Sequence, residues 1–380
     1  MKSIMQKDLW SITSFLENKN YKFNKENILT QLPEKFIDEA IKAISSWDNY
    51  APTPLVKLNK LNDELKFKNI YYKDEDKRFD LKSFKALGGA FAVYKIASEK
   101  NNITVSTATA GNHGRSVAWG AQRLGLKCKI FISEFVSESR AEAMRKLDAE
   151  VIRVKGNYDN SLKECIKQSK ENNWEIVQDV SWEGYKEVPK LIMAGYTIMV
   201  KEILDELKSN SITHVFLQAG VGGMAAAMIA GFAKLSQNIP KFIIVEPENA
   251  DCVFQSIKNN KPTSVDIKKE TVMGGMSCGD VSSIAWEILK NSSNYCLTIS
   301  DEAISTTVAL LAEKRLSDEK IIAGECAVPG IIALISSFNN KEYLDKLELN
   351  EQSNVLLFGC EGLTDSAMYQ KLLSDGLQKI

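Results

Sequence analysis

Ser83-Phe84-Lys85-Ala86-Leu87-Gly88-Gly89-Ala90 sets one lysine just ahead of paired glycines and a helix pattern (Ala90, Phe91, Val93, Tyr94, Ile96, Ala97) that is apolar on most faces. Lysine is rarely buried unless paired or chemically engaged, so Lys85 is expected to be tethered. The plain alternative is a lysine at a helix start with its ammonium in water. Two further stretches change that balance. Thr107-Ala108-Thr109-Ala110-Gly111-Asn112-His113-Gly114 follows a strand and opens a helix, where converging N–H groups suit an anion such as an amino-acid carboxylate. A simple strand-to-helix turn explains its glycines as well, and a lone His113 is more often structural than catalytic.

Gln218-Ala219-Gly220-Val221-Gly222-Gly223 lies between a strand and an alanine-rich helix, and its small residues let backbone approach a phosphate. The same loop, Gly220-x-Gly222-x-x-Ala225, fits a dinucleotide fingerprint, with Glu246 ending the next strand where a ribose-binding acid would sit. A nicotinamide enzyme and one with a phosphate-tailed cofactor both satisfy the local pattern. The position of the loop in mid-chain, after an α/β unit carrying Lys85, favours the second. A third loop, Gly359-Cys360-Glu361-Gly362-Leu363-Thr364-Asp365-Ser366, follows the last strand. Thr364 could meet the edge of a bound heterocycle, or either Thr364 or Asp365 could cap the final helix.

The elements that must position these loops alternate along the chain. Strands are expected near 70–72, 103–105, 128–132, 151–154, 175–178, 214–218, 242–246 and 355–358. Helices are expected near 34–47, 86–99, 113–124, 137–147, 158–171, 189–207, 223–235 and 366–375. This is the pattern of α/β folds with mainly parallel sheets covered by helices, and in such sheets ligands sit outside the carboxyl ends of strands. At 380 residues two lobes are expected. The larger is built from 1–85 and 191–380, the smaller from 86–190, with the helix at 189–207 as the return. Residues 1–50 read as polar, and Ala51-Pro52-Thr53-Pro54-Leu55 as a proline-stiffened extended entry.

Composition narrows the function. A formal charge of -1 leaves no excess of Lys and Arg for nucleic acid or membrane surfaces. No apolar run reaches the roughly 18 residues of a membrane helix, and the N-terminus lacks a signal-peptide core, so a cytoplasmic location is expected. Seven scattered cysteines without Cys-x-x-Cys argue against a structural zinc site, and no metal is expected. Only two histidines exist, so a Ser-His-Asp or Cys-His hydrolase would have to use His113 or His214. His214 opens a β run and reads as a strand-edge residue.

A lysine before paired glycines, Gly-Asn-His-Gly, a glycine-rich phosphate loop and a C-terminal Gly-x-Thr, in that order, resemble the fold-type II pyridoxal-phosphate (PLP) enzymes. The resemblance is closer to the diaminopropionate ammonia-lyases and runs from about residue 30 to the C-terminus. It is carried by Arg78-Phe79-x-Leu81, the Lys85 motif, Gly111 to Arg115, Val117-Ala118-Trp119, Gln178-Asp179, Trp182-Glu183-Gly184-Tyr185, Gln218 to Gly222, Val245-Glu246-Pro247, Ala250-Asp251-Cys252 and Glu361-Gly362-x-Thr364-Asp365. It implies two lobes with parallel sheets, a homodimer, and a small amino acid as substrate. Lys85 would form the Schiff base with PLP and Asn112 would hydrogen-bond the ring hydroxyl. Gly220, Val221, Gly222 and Gly223 would cradle the phosphate and Thr364 would face the pyridine nitrogen. Asp179 would lie near the distal amine of the substrate, and Thr109, Ala110, Gly111 and His113 would contact the substrate. PLP would act as the electron sink while Lys85 removes the Cα proton, ammonia leaves, and pyruvate with a second ammonia follows.

Departures from the pattern bear on specificity. Where the ammonia-lyases carry an aspartate, taken as the base for the D-isomer, this chain has Ala110, which implies preference for the L-isomer. A threonine dehydratase-like enzyme also has alanine there, so serine/threonine dehydration is the nearest rival. A non-catalytic relative is disfavoured by intact Lys85, Asn112 and Thr364. Gly324-Glu325-Cys326-Ala327-Val328 replaces the family's Gly-Glu-Ser-Gly-Ala, the connection from Lys85 to Thr107 is short, and Met273 to Gly279 matches only in its first half. Cys252 and Cys278 fall at positions that can pair in the family, although a reducing cytoplasm favours two thiols.

Overall fold

The structure is a computed structural model that describes residues 8–109, 111–208 and 212–380. Its described strands are β1 (Ile12–Glu17), β2 (Leu55–Lys57), β3 (Asn69–Asp74), β4 (Thr104–Ala108), β5 (Lys127–Ser133), β6 (Ala149–Val154), β7 (Glu175–Ile176), β8 (His214–Gln218), β9 (Lys241–Pro247), β10 (Tyr295–Ile299) and β11 (Asn354–Gly359). They form a seven-stranded sheet, ordered β1-β10-β9-β8-β11-β3-β2, and a four-stranded sheet, ordered β6-β5-β4-β7. All neighbours are parallel except β1 on β10 and β2 on β3, which close the two edges of the larger sheet. Among the described residues no helix is long and apolar enough to cross a membrane.

Each sheet belongs to its own compact unit. The larger unit takes Pro52–Lys77, Met199–Ile380 and the N-terminal stretch up to Gln31; the smaller takes Leu32–Ala51 and Arg78–Ile198. The sequence reading instead divides the chain at 85/86 and 190/191. Residues 32–51 join the smaller unit because the helix Glu34–Ser45 buries Ile37, Ala40 and Ile44 and packs against the helices Glu187–Tyr196 and Lys85–Glu99. The long helix expected at 189–207 is two helices, Glu187–Tyr196 and Ile198–Leu207. At the break, the Thr197 hydroxyl and amide both donate to the Ala194 carbonyl, an i to i−3 closure that ends the first helix.

Two strands towards the N-terminus, β1 and β2, lie outside the sequence expectations. β1 was not expected because its residues are only half-buried along one edge, so Ile12-Thr13-Ser14-Phe15-Leu16-Glu17 shows no clean alternation. β2 follows the proline-stiffened entry and is three residues long, too short to show a period. His214 begins β8, an interior strand, and is buried rather than at an edge. Its Nε2 donates to the Leu347 carbonyl at 2.9 Å and its Nδ1 meets the Thr213 hydroxyl at 2.8 Å.

Close helix packing positions the Lys85 segment. Ala86 to Val93 are all buried on the helix Lys85–Glu99. A Cβ on Gly88 would lie 2.6 Å from the Ile192 carbonyl, and one on Gly195 would lie 2.7 Å from the Leu87 carbonyl, so the two glycines let these helices touch backbone to backbone. On the other side, Ser116 Oγ accepts the Ala90 amide at 3.0 Å.

Gly195→Ala is expected to cost about 1–3 kcal/mol by overpacking this crossing, read as a lower urea midpoint with an unchanged m-value. His214 supplies a pH-dependent term. Burial holds its imidazole down to about 4, from 6.5. The unfolded chain therefore takes up a proton that the folded chain refuses, and stability present above pH 6.5 is lost as pH falls towards 4. The loss is about 3 kcal/mol at most. Urea unfolding at pH 7, 5.5 and 4 should show a flatter profile for His214→Gln than for the wild type.

Candidate active site

Residues expected in the site fall in both units. In the smaller unit Lys85 is the first residue of its helix. Its Nζ lies 2.5 Å from Asp179 Oδ2, and the rings of Phe84 and Tyr196 stand 5.3 and 5.8 Å from the amine. The side chains of Lys85 and Asp179 are 25% and 15% exposed. Burial alone would raise the Asp179 carboxyl, but the adjoining His113 ring and the Lys85 ammonium with its hydrogen bond outweigh it and hold the group well below the usual carboxylate range. His113 is buried, with Nε2 2.7 Å from the Val177 carbonyl and Nδ1 3.7 Å from Asp179 Oδ2. A carbonyl only accepts, so Nε2 carries the proton. Burial, reinforced by the Lys85 charge and opposed by Asp179, holds this imidazole below its ordinary value.

Asp179 is placed by its neighbours. β7 ends at Ile176, and the Gln178 side chain then continues the pairing that its backbone leaves. Gln178 Oε1 accepts the Ala108 amide at 3.1 Å and the Thr107 hydroxyl at 2.8 Å, while Nε2 donates to the Ala108 carbonyl at 2.8 Å. Trp182-Glu183-Gly184-Tyr185 forms a tight turn with Gly184 at φ 82° and the Trp182 and Tyr185 rings stacked at 4.2 Å. The Tyr185 hydroxyl then accepts the Gln178 amide at 2.9 Å and donates to the Ile176 carbonyl at 2.8 Å. Gln178 and Tyr185 are thus positioning groups that the motif pattern marks only as residues without a role. Tyr196 and Phe84, also at the amine, carry no sequence signal distinguishing them from core.

In the loop at Gly111 a side chain takes up part of the amide set that the sequence offers to an anion. Thr109 Oγ1 accepts the amides of Gly111 and Gly114 at 3.1 and 3.3 Å. The amides of Asn112 and His113, at the start of the helix Asn112–Arg123, are not among those two. Ala110 lies outside the described residues. Upstream of Lys85, Phe79, Asp80 and Lys82 all have positive φ, at 47°, 58° and 58°. For residues other than glycine each such conformation costs about 1–2 kcal/mol.

In the larger unit, the loops after β8 and β11 lie at the carboxyl ends of adjacent parallel strands. Gly222, at φ 88°, precedes the buried helix Gly223–Leu235, whose first amides have no intrahelical partners. A Cβ on Gly220 would come 3.0 Å from Cys278 Sγ and 3.1 Å from Met276 Cα. The Met273–Gly279 stretch therefore packs directly against the loop backbone at Gly220. Cys252 and Cys278 are free thiols, and Cys252 donates to the Gly220 carbonyl at 3.5 Å.

At β11, Asp365 caps the helix Ser366–Leu377 by accepting the Met368 amide at 3.2 Å, so the cap is not the Thr364 hydroxyl. A Cβ on Gly362 would collide with the Asp76 carboxylate, whose Oδ1 accepts the Leu363 amide at 3.2 Å. The divergent Gly324–Val328 segment joins the same group. The Cys326 carbonyl accepts Gln218 Nε2 at 3.0 Å, its amide donates to Glu361 Oε1 at 3.2 Å, and its sulfur lies 3.2 Å from where a Gly275 Cβ would be. Burial, then Glu361 and Glu325, push the Cys326 thiol well up.

Glu246 decides the ambiguity of the glycine loop. Its Oε1 accepts the Val253 amide at 2.9 Å and its Oε2 the Phe254 amide at 2.7 Å, so the carboxylate closes the start of the helix Cys252–Asn259. A fully buried acid with both oxygens occupied in this way is not a ribose ligand, and the nicotinamide reading is overturned.

A family model described as pyridoxal-phosphate dependent enzyme matches residues 47–361. The chain belongs to that family. Diaminopropionate ammonia-lyases of Escherichia coli K12 and Salmonella typhimurium are each 34% identical to it, over 86% of this chain and 88% and 89% of theirs. The crystal structure of the E. coli diaminopropionate ammonia lyase superposes with a TM-score of 0.89 at 31% identity, covering 97% of this chain and 99% of that one; one such structure holds D-serine. The cofactor is pyridoxal phosphate, and the residues present fit it. Lys85 offers an amine beside an ionised carboxylate, and the loop 220–223, glycine at three of its four positions, offers helix-start amides to a phosphate.

Tyr185→Phe should strand the Gln178 amide and the Ile176 carbonyl, costing about 1–3 kcal/mol. The same change should speed hydrogen exchange at Gln178, measured by NMR or peptide mass, more than at the centre of β5.

Proposed function

We propose that the chain is a diaminopropionate ammonia-lyase that favours the L-isomer, releasing one ammonia by elimination and, with one water consumed in hydrolysis, pyruvate and a second ammonia. The observation that carries this is the Lys85 amine held 2.5 Å from an ionised Asp179 in a largely desolvated setting. When bound, pyridoxal phosphate supplies an electron sink for the charge left on the substrate Cα. Lys85 anchors that cofactor covalently, and its released amine takes the Cα proton of the L-isomer. The amides of Gly220, Val221, Gly222 and Gly223 hold the phosphate, Asn112 the ring hydroxyl and Thr364 the pyridine nitrogen. A neutral hydroxyl at Thr364 does not force protonation of that nitrogen, which suits elimination.

Thr109, Gly111 and His113 border the substrate carboxylate. Asp179 exchanges the Lys85 ammonium for the β-ammonium of the substrate once the lysine is engaged. At about 4 Å and an effective dielectric near 20 such a pair is worth about 4 kcal/mol, a contact that a β-hydroxyl cannot make. That difference ranks diaminopropionate above serine and threonine. Ala110 leaves no carboxylate to take the proton on the opposite face. The enzyme acts in the cytoplasm as a homodimer.

A coupled pyruvate assay tests the assignment. L-2,3-diaminopropionate should turn over at least about tenfold faster than the D-isomer, the ordinary effect of one general base. Lys85→Ala should abolish both. Asp179→Asn should reduce kcat/KM for diaminopropionate more than for serine. Equal rates on the two isomers would remove the role given to Ala110, and faster release of keto acid from serine or threonine would identify a dehydratase.

A further inference from the structure

The turn that delivers Lys85 is built against its own conformational preference. The Leu81 amide donates to the Arg78 carbonyl at 2.9 Å, closing a four-residue turn whose two central residues, Phe79 and Asp80, both have positive φ. Such turns favour glycine, asparagine and aspartate, which accounts for Asp80 but not for the bulky Phe79. A residue remains in this state only where its surroundings hold it there.

The surroundings are aromatic. The Phe79 ring lies 4.7 Å from Trp119, 5.9 Å from Trp47 and 6.3 Å from Tyr50, and Trp47 meets Trp119 edge-on at 5.8 Å. Arg123 closes this cage, its guanidinium 4.5 Å from the Trp47 ring and 4.8 Å from the Trp119 ring. Trp119 and Arg123 stand four residues apart on one face of the helix Asn112–Arg123, the helix that begins with Asn112 and His113. Trp47 and Tyr50 follow the helix Glu34–Ser45. The cage therefore pins the turn before Lys85 to the element that presents His113 beside Asp179. Between the turn and the amine, Ser83 Oγ accepts the Lys85 amide at 3.3 Å, leaving little slack in the connection.

We propose that Phe79 is a positioning residue for Lys85: its ring, seated in the Trp47–Tyr50–Trp119 cage, holds the left-handed turn that aims the Lys85 amine at Asp179. The claim rests on the reading of Lys85 as the cofactor-bearing lysine, and the test separates the two. Pyridoxal 5'-phosphate is added to cofactor-free protein, the adduct is trapped with borohydride and Lys85 is located by peptide mass. In parallel, competitive acetic anhydride labelling of the cofactor-free protein reports the reactivity of Lys85 against the other lysines. Phe79→Leu keeps apolar volume but removes the ring; it should slow both reactions roughly 10- to 100-fold, the scale of a misplaced reacting group. It should also lower kcat with KM little changed. Phe79→Tyr should restore the rates. Arg123→Met, at the exposed side of the cage, should shift them in the same direction by less. Unchanged Lys85 reactivity in a leucine or methionine variant that keeps the wild-type circular dichroism overturns the proposal. Absence of trapped adduct at Lys85 in the wild type overturns the reading beneath it instead.

Discussion

One amine beside one ionised carboxylate, largely withdrawn from water, constrains the whole of the smaller unit. A carboxylate in that position would be driven towards its neutral form by burial, and what keeps it charged is the adjoining His113 ring together with the Lys85 ammonium 2.5 Å away. Each partner must therefore be delivered to a fraction of an ångström by a different part of the chain. Lys85 arrives from a turn in left-handed backbone and from a helix whose glycines admit no side chain. Asp179 arrives from the end of a two-residue strand that is completed by a side-chain amide and a tyrosine hydroxyl. Neither device adds a large core, and both spend local stability on direction.

The larger unit uses its glycines differently, to let neighbouring segments pack directly against loop backbone. Around the ends of β8 and β11, Gly220, Gly275, Gly324 and Gly362 each stand where a Cβ would meet a neighbour at or within 3.2 Å. Acids and cysteines fill the space behind them: Asp76 against Gly362, Glu361 against Gly324, Cys326 against Gly275 and Cys278 against Gly220. Cys326 reaches its neighbours through backbone, from its carbonyl to Gln218 and from its amide to Glu361. Burial, then Glu361 and Glu325, keep its thiol protonated.

Most of the parallel α/β architecture was legible because its strands are short apolar runs between amphipathic helices, and periodicity reads those directly. β1 was not, since a half-buried edge strand has no clean period. The break at Thr197 was invisible because the apolar pattern continues across it. In the site, Lys85, Asp179 and the glycine loops were legible as types in order, and the resemblance supplied their roles. What spacing could not tell was how hydrogen-bonding capacity is spent. Thr109 takes two amides of the loop at Gly111, Asp365 and not Thr364 takes the cap, and Glu246 is used up by a helix start. A motif counts residue types, whereas a site is defined by the lone pairs and protons left after the fold has used its share.

The same accounting explains where the larger unit places its strongest buried ion pair. The chain passes between units at 31/32, 51/52, 77/78 and 198/199. On the larger unit's side of the last three crossings stand Thr53, Lys73 with Glu75, and Glu202, and all four side chains are buried. Lys73 Nζ contacts Glu202 Oε2 at 2.6 Å and donates to the Thr53 carbonyl at 2.6 Å, while the Thr53 hydroxyl donates to Glu75 at 2.6 Å. Well-packed apolar side chains would serve stability as well or better, because two desolvated charges return little net energy. An ionic cluster differs in being directional and intolerant of partial disengagement, since a lost partner strands a buried charge. Placing it beside three of the four crossings ties residues near the ends of those segments into one cooperative group. None can loosen without exposing the others to the cost of an unpaired charge.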